Sequence, residues 1–539
     1  MDASVHKRSR TSGESPLSPL RIGLLTDRRD GFENWQLALI DRIAADDRLL
    51  LDAVVLCPSK LGEISAFFRF AAAMERETLG RQPNYHLKNT KVQDLPFITL
   101  EAHLAQDSGT ELDLVLSISP LADGPEAFCS SRFGSWHLSF LDAATSDVDW
   151  FGYQEVMGGI PATEVRLAVR RDGVSGHETV AVAGFNTKFS AVRSGDFIKE
   201  RAVTLVMREL RKIAETGILL TSEAPPLQAA QPPRVEEWLS YAAGVARNLV
   251  GRGRRAVKAR FGRGAPPWAL FVGEGSPKSF DPRTAVLLKP ENDELRADPF
   301  LLEHEGHIYL FYEAYTPREA KAHIAVGRLV GDQFEQLGMA LAAEHHLSYP
   351  FVFRHAGGIF MVPETHEARR LEVWRCVEFP LRWELHATAL EGQSSADSTL
   401  FAFDGRWWLF TNLSEFHAYE DHCSELHLFE VDGPDLKWMK PHRHNPVVIG
   451  STEARNGGRP FEHDGRLYRP SQRNERGIYG YGLNLMEVEQ LNLETYRERR
   501  VRTIKPDFAP GLLACHHMDA TGGRYVIDAM FADQSSLLR

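Results

Sequence analysis

The second half of the chain is written in short runs of apolar residues alternating with polar ones, the period-two pattern of strands half-buried on a sheet. Arg296-Ala297-Asp298-Pro299-Phe300-Leu301-Leu302, followed by Gly306-His307-Ile308-Tyr309-Leu310-Phe311-Tyr312, predicts two strands joined by a tight glycine-bearing turn. The pattern returns four times. Tyr349-Pro350-Phe351 leads to Gly357-Gly358-Ile359-Phe360, and Asp397-Ser398-Thr399-Leu400 to Gly405-Arg406-Trp407-Trp408. Arg459-Pro460-Phe461 leads to Gly465-Arg466-Leu467-Tyr468, and His516-His517-Met518-Asp519 to Gly522-Gly523-Arg524-Tyr525. Each turn reads Gly-x-x-aromatic, and the turns recur roughly every 50 to 60 residues, the period of propeller blades with loop insertions. A second aromatic closes most copies, at Phe334, Trp383, Trp438 and Tyr496. One copy cannot bury its apolar face alone and must stack on its neighbours. Radial stacking leaves only short, protected edges. The expectation is an all-β five-bladed propeller over residues 267–539, preferred to a β-sandwich because the marker recurs at matched offsets.

The first half has a different rhythm. Arg21 to Thr26, Leu51 to Leu56 and Leu112 to Ile118 are short apolar strands, and Phe32 to Ala45 carries Trp35, Leu37, Leu39, Ile40 and Ile43 at helical spacing. Strands alternating with helices predict a Rossmann-like α/β sheet over residues 19–215, with ligands at the carboxyl ends of its strands. No GxGxxG motif is present, so a dinucleotide is not indicated. Residues 216–266 then form a connector. Glu223 to Pro233 is rich in Pro and Ala, and a basic helical stretch, 235–263, follows with Arg247, Arg252, Arg254, Arg255, Lys258, Arg260 and Arg263. That stretch suits peripheral contact with a membrane or an anionic ligand, and equally a solvated connector.

Composition narrows this picture. At 539 residues the chain is too long for one core, and 43% hydrophobic with 25% charged residues is the balance of a soluble globular protein. Residues 1–18 are polar and read as a disordered tail without the apolar core of a secretory signal, which points to the cytoplasm. Five scattered cysteines without a CxxC pair argue against a disulfide frame and a zinc site, so no metal is expected. A net charge of −11 disfavours nucleic acid as a partner.

In a propeller the innermost strands converge on one channel. That would gather Asp298, Tyr349, Asp397, Arg459, His516, His517 and Asp519, with Glu313 and Glu364 on the adjoining strands. Glycoside chemistry needs two carboxyl groups flanking one bond. Asp298, Asp397 and Glu364 are the catalytic candidates, and Glu313, Tyr349, Arg459, His516, His517 and Asp519 the sugar-binding ones.

Three resemblances add to this reading. Asp298-Pro299-Phe300 and Asp397-Ser398-Thr399-Leu400-Phe401 look like the inner-strand motifs of five-bladed glycoside hydrolases of the arabinanase and β-xylosidase type, the family 43-like enzymes. The likeness implies a general base at Asp298 and a tuning role for Asp397. The family's acid, in Glu-x-Pro, is replaced by Gly458-Arg459-Pro460, which leaves Glu364 as the substitute. His346-Leu347-Ser348-Tyr349-Pro350-Phe351-Val352-Phe353, Met361-Val362-Pro363-Glu364-Thr365, Gly405-Arg406-Trp407-Trp408-Leu409-Phe410 and Gly458-Arg459-Pro460-Phe461 resemble the N-terminal propeller of glucosamine inositolphosphorylceramide transferases. In those plant proteins a separate glycosyltransferase domain follows the propeller, so their transfer residues are not carried onto this chain. Gly134-Ser135-Trp136-His137-Leu138-Ser139 resembles the catalytic stretch of folate-dependent formyltransferases, implying a site at His137, Ser135 and Asp172 with Ser135 in place of the family's Asn.

The function expected is processing of a glycan or sugar conjugate. The alternatives are a non-catalytic sugar-binding protein and an amino-sugar N-formyltransferase. No cofactor is called for by the propeller; a folate or nucleotide sugar is the candidate ligand of the first half.

Overall fold

The computed structural model describes residues 18–57, 66–80, 94–105, 112–121, 128–141, 151–174, 176–223, 234–260, 267–290, 294–316, 319, 321–414, 421–533 and 537. The expected polar tail, apart from Ser18, and the Pro-rich connector from 224 to 233 lie outside the described residues.

The first half is a seven-stranded mixed sheet. Its strands are β1 (Leu20–Thr26), β2 (Leu49–Leu56), β3 (Phe97–Thr99), β4 (Leu114–Ser117), β5 (Ser135–Leu138), β6 (Ala162–Arg170) and β7 (Glu178–Asn186), in the order β3-β2-β1-β4-β5-β6-β7. The first five are parallel, and β6 and β7 add on antiparallel. Helices α1 (Asn34–Ala44), α2 (Ala66–Leu79), α3 (Leu100–Ala105), α4 (Tyr153–Met157) and α5 (Ala191–Thr216) complete this region. Alternation in the strands decides which side each residue faces. Ile22, Leu24, Trp136, Val165 and Leu167 join one core with Trp35, Leu39 and Ile40 of α1 and Ile198, Val206 and Leu210 of α5. Leu25, Val55 and Val115 enter a second core with Phe128. Helix α6 (Val235–Arg260) then docks on this region, its buried Tyr241 donating to Glu75 Oε1 at 2.6 Å and accepting from the Ala191 N–H at 2.7 Å.

The second half is a five-bladed propeller. Strands β8 (Trp268–Glu274) and β9 (Val286–Leu288) come first in the chain but belong to the last blade. Blade 1 is β10 (Leu295–His304), β11 (His307–Tyr315), β12 (His323–Val330) and β13 (Gln333–Leu341). Blade 2 is β14 (Ser348–His355), β15 (Gly358–Glu364), β16 (Leu371–Glu378) and β17 (Arg382–Ala389). Blade 3 is β18 (Ser395–Phe403), β19 (Arg406–Leu413), β20 (Glu425–Val431) and β21 (Met439–Pro441), with β22 (Val448–Ile449) also on β20. Blade 4 is β23 (Phe461–His463), β24 (Arg466–Glu475), β25 (Ile478–Leu491) and β26 (Tyr496–Ile504). In blade 5, β27 (Leu512–Ala514) and β28 (Met518–Thr521) pair with β29 (Arg524–Phe531), which pairs with β8, which pairs with β9. The ring is thus closed by joining its first strand to its last.

The recurring glycine turn has a simple cause. Each inner hairpin has a two-residue loop with both residues left-handed: Glu305-Gly306, Ala356-Gly357, Asp404-Gly405, Asp464-Gly465 and Gly522-Gly523. That is the type I′ turn, whose twist matches that of the flanking strands, and glycine relieves its second position. The aromatic two or three residues on belongs to the second strand of the hairpin.

The α/β region rests directly on blades 3 and 4. Fully buried Arg201 of α5 donates to Glu425 Oε1 at 3.3 Å, and Thr204 donates to the same oxygen at 2.9 Å. The Ser451 N–H donates to the Gly184 carbonyl at 2.8 Å, and the Gly477 N–H to Asn186 Oδ1 at 2.8 Å.

Blades 4 and 5 meet at a bridge between Gly458 and Met518. Gly458 has φ 146°, and a Cβ there would lie 1.9 Å from the Met518 carbonyl oxygen. Gly458→Ala is therefore expected to cost about 3 kcal/mol of stability, measured as a lower urea midpoint for the full chain.

Candidate functional site

Three blades enter the channel through the same local distortion. Asp298, Tyr349 and Asp397 have φ of 50°, 46° and 45°, at register shifts between Ala297 and Phe300, Ser348 and Phe351, and Ala396 and Thr399. A non-glycine residue in this region costs roughly 1–3 kcal/mol. The bulge re-aims one residue of each inner strand, and all three are less than 9% exposed.

Two charge clusters result. In the first, Arg455 Nε donates to Asp397 Oδ2 at 2.6 Å, and its Nη2 reaches Asp397 Oδ1 and Glu364 Oε2, both at 3.2 Å. Gln472 Nε2 donates to Asp397 Oδ2 at 3.0 Å, and His366 Nδ1 lies 2.9 Å from Glu364 Oε1. Burial alone would push Glu364 up, but the His366 hydrogen bond and the Arg455 charge outweigh it, holding Glu364 below the usual carboxylate range. Burial, opposed by Arg455 but reinforced by the Glu364 charge, pushes Asp397 well up. One guanidinium cannot neutralise two carboxylates, so the two carboxyl groups are pushed apart, Glu364 down and Asp397 up.

In the second cluster Asp528, fully buried on β29, accepts the N–H groups of His516 at 3.0 Å, His517 at 2.9 Å and Asp298 at 3.2 Å. Its Oδ2 lies 2.6 Å from His516 Nδ1. Burial works against its charge, yet the His516 ring and the His516 backbone N–H hold its pKa below the usual range. His516 Nε2 lies 3.5 Å and His517 Nδ1 3.6 Å from Asp298 Oδ1, a buried oxygen with no hydrogen bond. Burial, then the charges of Glu313, Asp397, Asp528 and Glu364, push Asp298 well above its ordinary value. The arrangement sets in series a carboxyl pushed toward its neutral form, the His516 ring and a carboxyl held toward its charged form. Donor atoms of Asp298, His516 and Asp528 lie within 4.8 Å of one another, the one such group among the described residues with spacing for a metal ion.

The remaining expected residues divide. Glu313, partly buried on the strand paired with that of Asp298, is taken up by His346, whose Nε2 lies 3.2 Å from its Oε1. Arg459 and Asp519, expected to bind sugar, are committed to the framework. Arg459 pairs with Asp519 at 2.9 Å, donates to the Leu301 and Val352 carbonyls at 3.2 and 2.9 Å, and lies over Phe300 and Phe351. Asp519 also takes the Leu301 N–H at 2.8 Å. Together they brace blades 1, 2 and 5. Tyr349 and His517 are fully buried: the Tyr349 hydroxyl donates to the Gly458 carbonyl at 3.3 Å, and the His517 ring lies against Phe300 and Tyr349. Burial lowers His517 to about 3, so it is neutral.

Sequence reading missed Asp528, Arg455, Gln472 and His366. Asp528 had a signal, a lone acid in the apolar run Tyr525-Val526-Ile527-Asp528-Ala529. Arg455 sits in the loop before the blade 4 repeat and had none.

In the α/β region, Ser135 and His137 are buried on β5, with His137 against the His177 ring at 4.5 Å. Asp172 does not join them. His137 pairs with Ala168, and Asp172 is four residues further along the antiparallel chain, about 13 Å away along the strand. It is exposed in the turn between β6 and β7, past the amino end of β5. The Asp172-Gly173 pair, with Gly173 at φ 75°, makes that turn.

Residues 288–514 match the family described as glucosamine inositolphosphorylceramide transferase 1, N-terminal. The transferase of that name from Oryza sativa subsp. japonica is 36% identical over 233 residues, 42% of this chain and 31% of the relative. The Arabidopsis thaliana protein is 38% identical over 210 residues, 38% of this chain and 27% of the relative. The chain thus spans about a third of the length of the curated relatives it matches. Among solved structures, a thermostable family-43 glycoside hydrolase aligns over 43% of this chain and 88% of its own, with 16% identity and a TM-score of 0.34. A Bombyx mori GH32 beta-fructofuranosidase aligns over 41% and 53%, with 11% identity and a TM-score of 0.33.

Removing Arg455 leaves two buried carboxyl groups without their cation. Arg455→Met is expected to destabilise the chain by about 3–5 kcal/mol, more severely as pH rises and both acids ionise. Adding Glu364→Gln and Asp397→Asn should restore most of the loss, read by thermal unfolding across pH.

Proposed function

We propose that the propeller recognises and processes the glycosyl part of a sugar conjugate, with Asp298 meeting the reacting oxygen. The observation that carries this is the buried, unpartnered Asp298 Oδ1 beside His516, itself backed by Asp528. The substrate class rests on the matched relatives' name, which points to a glucosamine-bearing inositolphosphoryl lipid or its headgroup.

In this reading Asp298, kept neutral, gives its proton to the departing glycosidic oxygen as that C–O bond breaks. An incoming hydroxyl forms the new bond to the anomeric carbon. Its proton passes to His516, whose cation Asp528 stabilises, and from there back to Asp298. The resemblance implied a base at Asp298; its surroundings favour an acid. Glu364 is a poor substitute acid, because His366 and Arg455 stabilise its ionised form.

Binding without turnover is the second reading. It is favoured by the way Arg455 occupies both Glu364 and Asp397, leaving no free second carboxyl of the kind a glycosidase pair requires. Formyl transfer by the α/β region gains no support from the placement of Asp172.

Asp298→Asn separates these readings. If the site turns over, the variant should bind glucosamine-bearing inositol phosphates within a few-fold of the natural chain and lose activity by about 10²–10⁴-fold. A pure binder shows no turnover in either form. Absence of any thermal shift with such sugars would remove both. The folded pKa of Asp298 lies above its unfolded value, so stability is lost as pH climbs from about 4 through the folded value. Asp298→Asn should flatten that decline.

A further inference from the structure

Helix α6 has two apolar faces, and only one is used by the fold. Trp238, Tyr241 and Val245 pack against the α/β region. On the other side, positions 239, 243, 246, 250, 253 and 257 follow steps of four and three. At about 100° per residue they fall within an arc roughly 80° wide. Leu239, Ala243, Ala246, Val250, Gly253 and Val257 are all exposed, with 57%, 54% and 59% of Leu239, Val250 and Val257 open to solvent. Exposed Arg247 and Arg254 border this stripe. The ring of Phe67 meets Trp238 at 5.3 Å, which brings α2 alongside. There Phe70 and Met74 are 65% and 52% exposed.

Across Val235–Arg260 the sequence carries six Lys or Arg against two Glu, a net of +4 on a chain whose total is −11. That contrast selects the occupant. A second copy of this helix would bring like charges together, and the Ala and Gly of the stripe offer little to a helical partner's core. An anionic bilayer accepts dispersed apolar side chains from two helices while its headgroups neutralise the arginines. No described helix is long and apolar enough to cross a membrane, so the contact is with the surface.

We infer that α6 and the exposed edge of α2 form a docking face for an anionic lipid bilayer, independent of the chemistry of the propeller site. The test is flotation of the full chain with vesicles of phosphatidylcholine, alone or with about 30 mol% phosphatidylserine. The chain should float with the anionic vesicles, not with the neutral ones, and come off as salt rises to about 0.5 M. Two combined variants, Leu239→Asp with Val250→Asp and Arg247→Glu with Arg254→Glu, should each cut the bound fraction by about tenfold, with thermal unfolding unchanged. Failure to float with anionic vesicles overturns the inference, as does binding that survives both variants. A dimer in solution that Val250→Asp dissolves would assign the stripe to a second copy instead.

Discussion

Excess negative charge in a space closed to water is the constraint from which the centre of this propeller is built. Asp298, Glu364, Asp397 and Asp528 all lie in the channel region, each less than 9% exposed. Four ionised carboxylates there would cost far more than a domain's net stability. The chain answers in three ways. Arg455 spans two of them. Three backbone N–H groups and His516 hold the third as an anion. The fourth, Asp298, has no hydrogen bond to its Oδ1, and burial and the neighbouring acids push its pKa well above the ordinary value. The asymmetry within the cluster follows from where compensation was supplied and where it was withheld.

The fold translates that constraint into sequence positions. Asp298, Tyr349 and Asp397 occupy equivalent bulges in consecutive blades, and each accepts a left-handed backbone to reach the channel. Tyr349 shows what such a position does without a charge: its hydroxyl bridges to Gly458 and fixes blade 2 against blade 4. Arg459 and Asp519 serve a parallel purpose, tying blades together with buried polar bonds. A ring of five sheets whose centre is polar needs such ties, because the apolar cores lie between blades and leave the axis to hydrogen bonds.

Much of this was legible in the amino-acid order, for identifiable reasons. The blades could be read because a type I′ hairpin demands glycine at one place, and that demand repeats with each blade. Asp298 and Asp397 could be read because the bulges recur at a fixed offset before those turns. Arg459 was read as a ligand residue, whereas the structure bonds it to two carbonyl groups; a charged residue at a repeat position has the same appearance in either setting. Arg455 was missed because it lies in an irregular loop, where no period exists to expose it. Asp172 was drawn into a site by resemblance, although it lies with Gly173 in the turn between β6 and β7. Linear spacing carries period and turn chemistry well; it does not say which partner a long side chain will find across the axis.

Closure of the ring by β8 against β29 carries a consequence for how the protein comes into being. Asp528 lies on β29, so the imidazole–carboxylate pair does not exist until the last strand of the last blade has been made. Until that moment a nascent chain holds Asp298 without Asp528 on its N–H, and an open ring. The centre is therefore completed together with the ring, and a chain lacking β29 would lack its most deeply buried carboxylate.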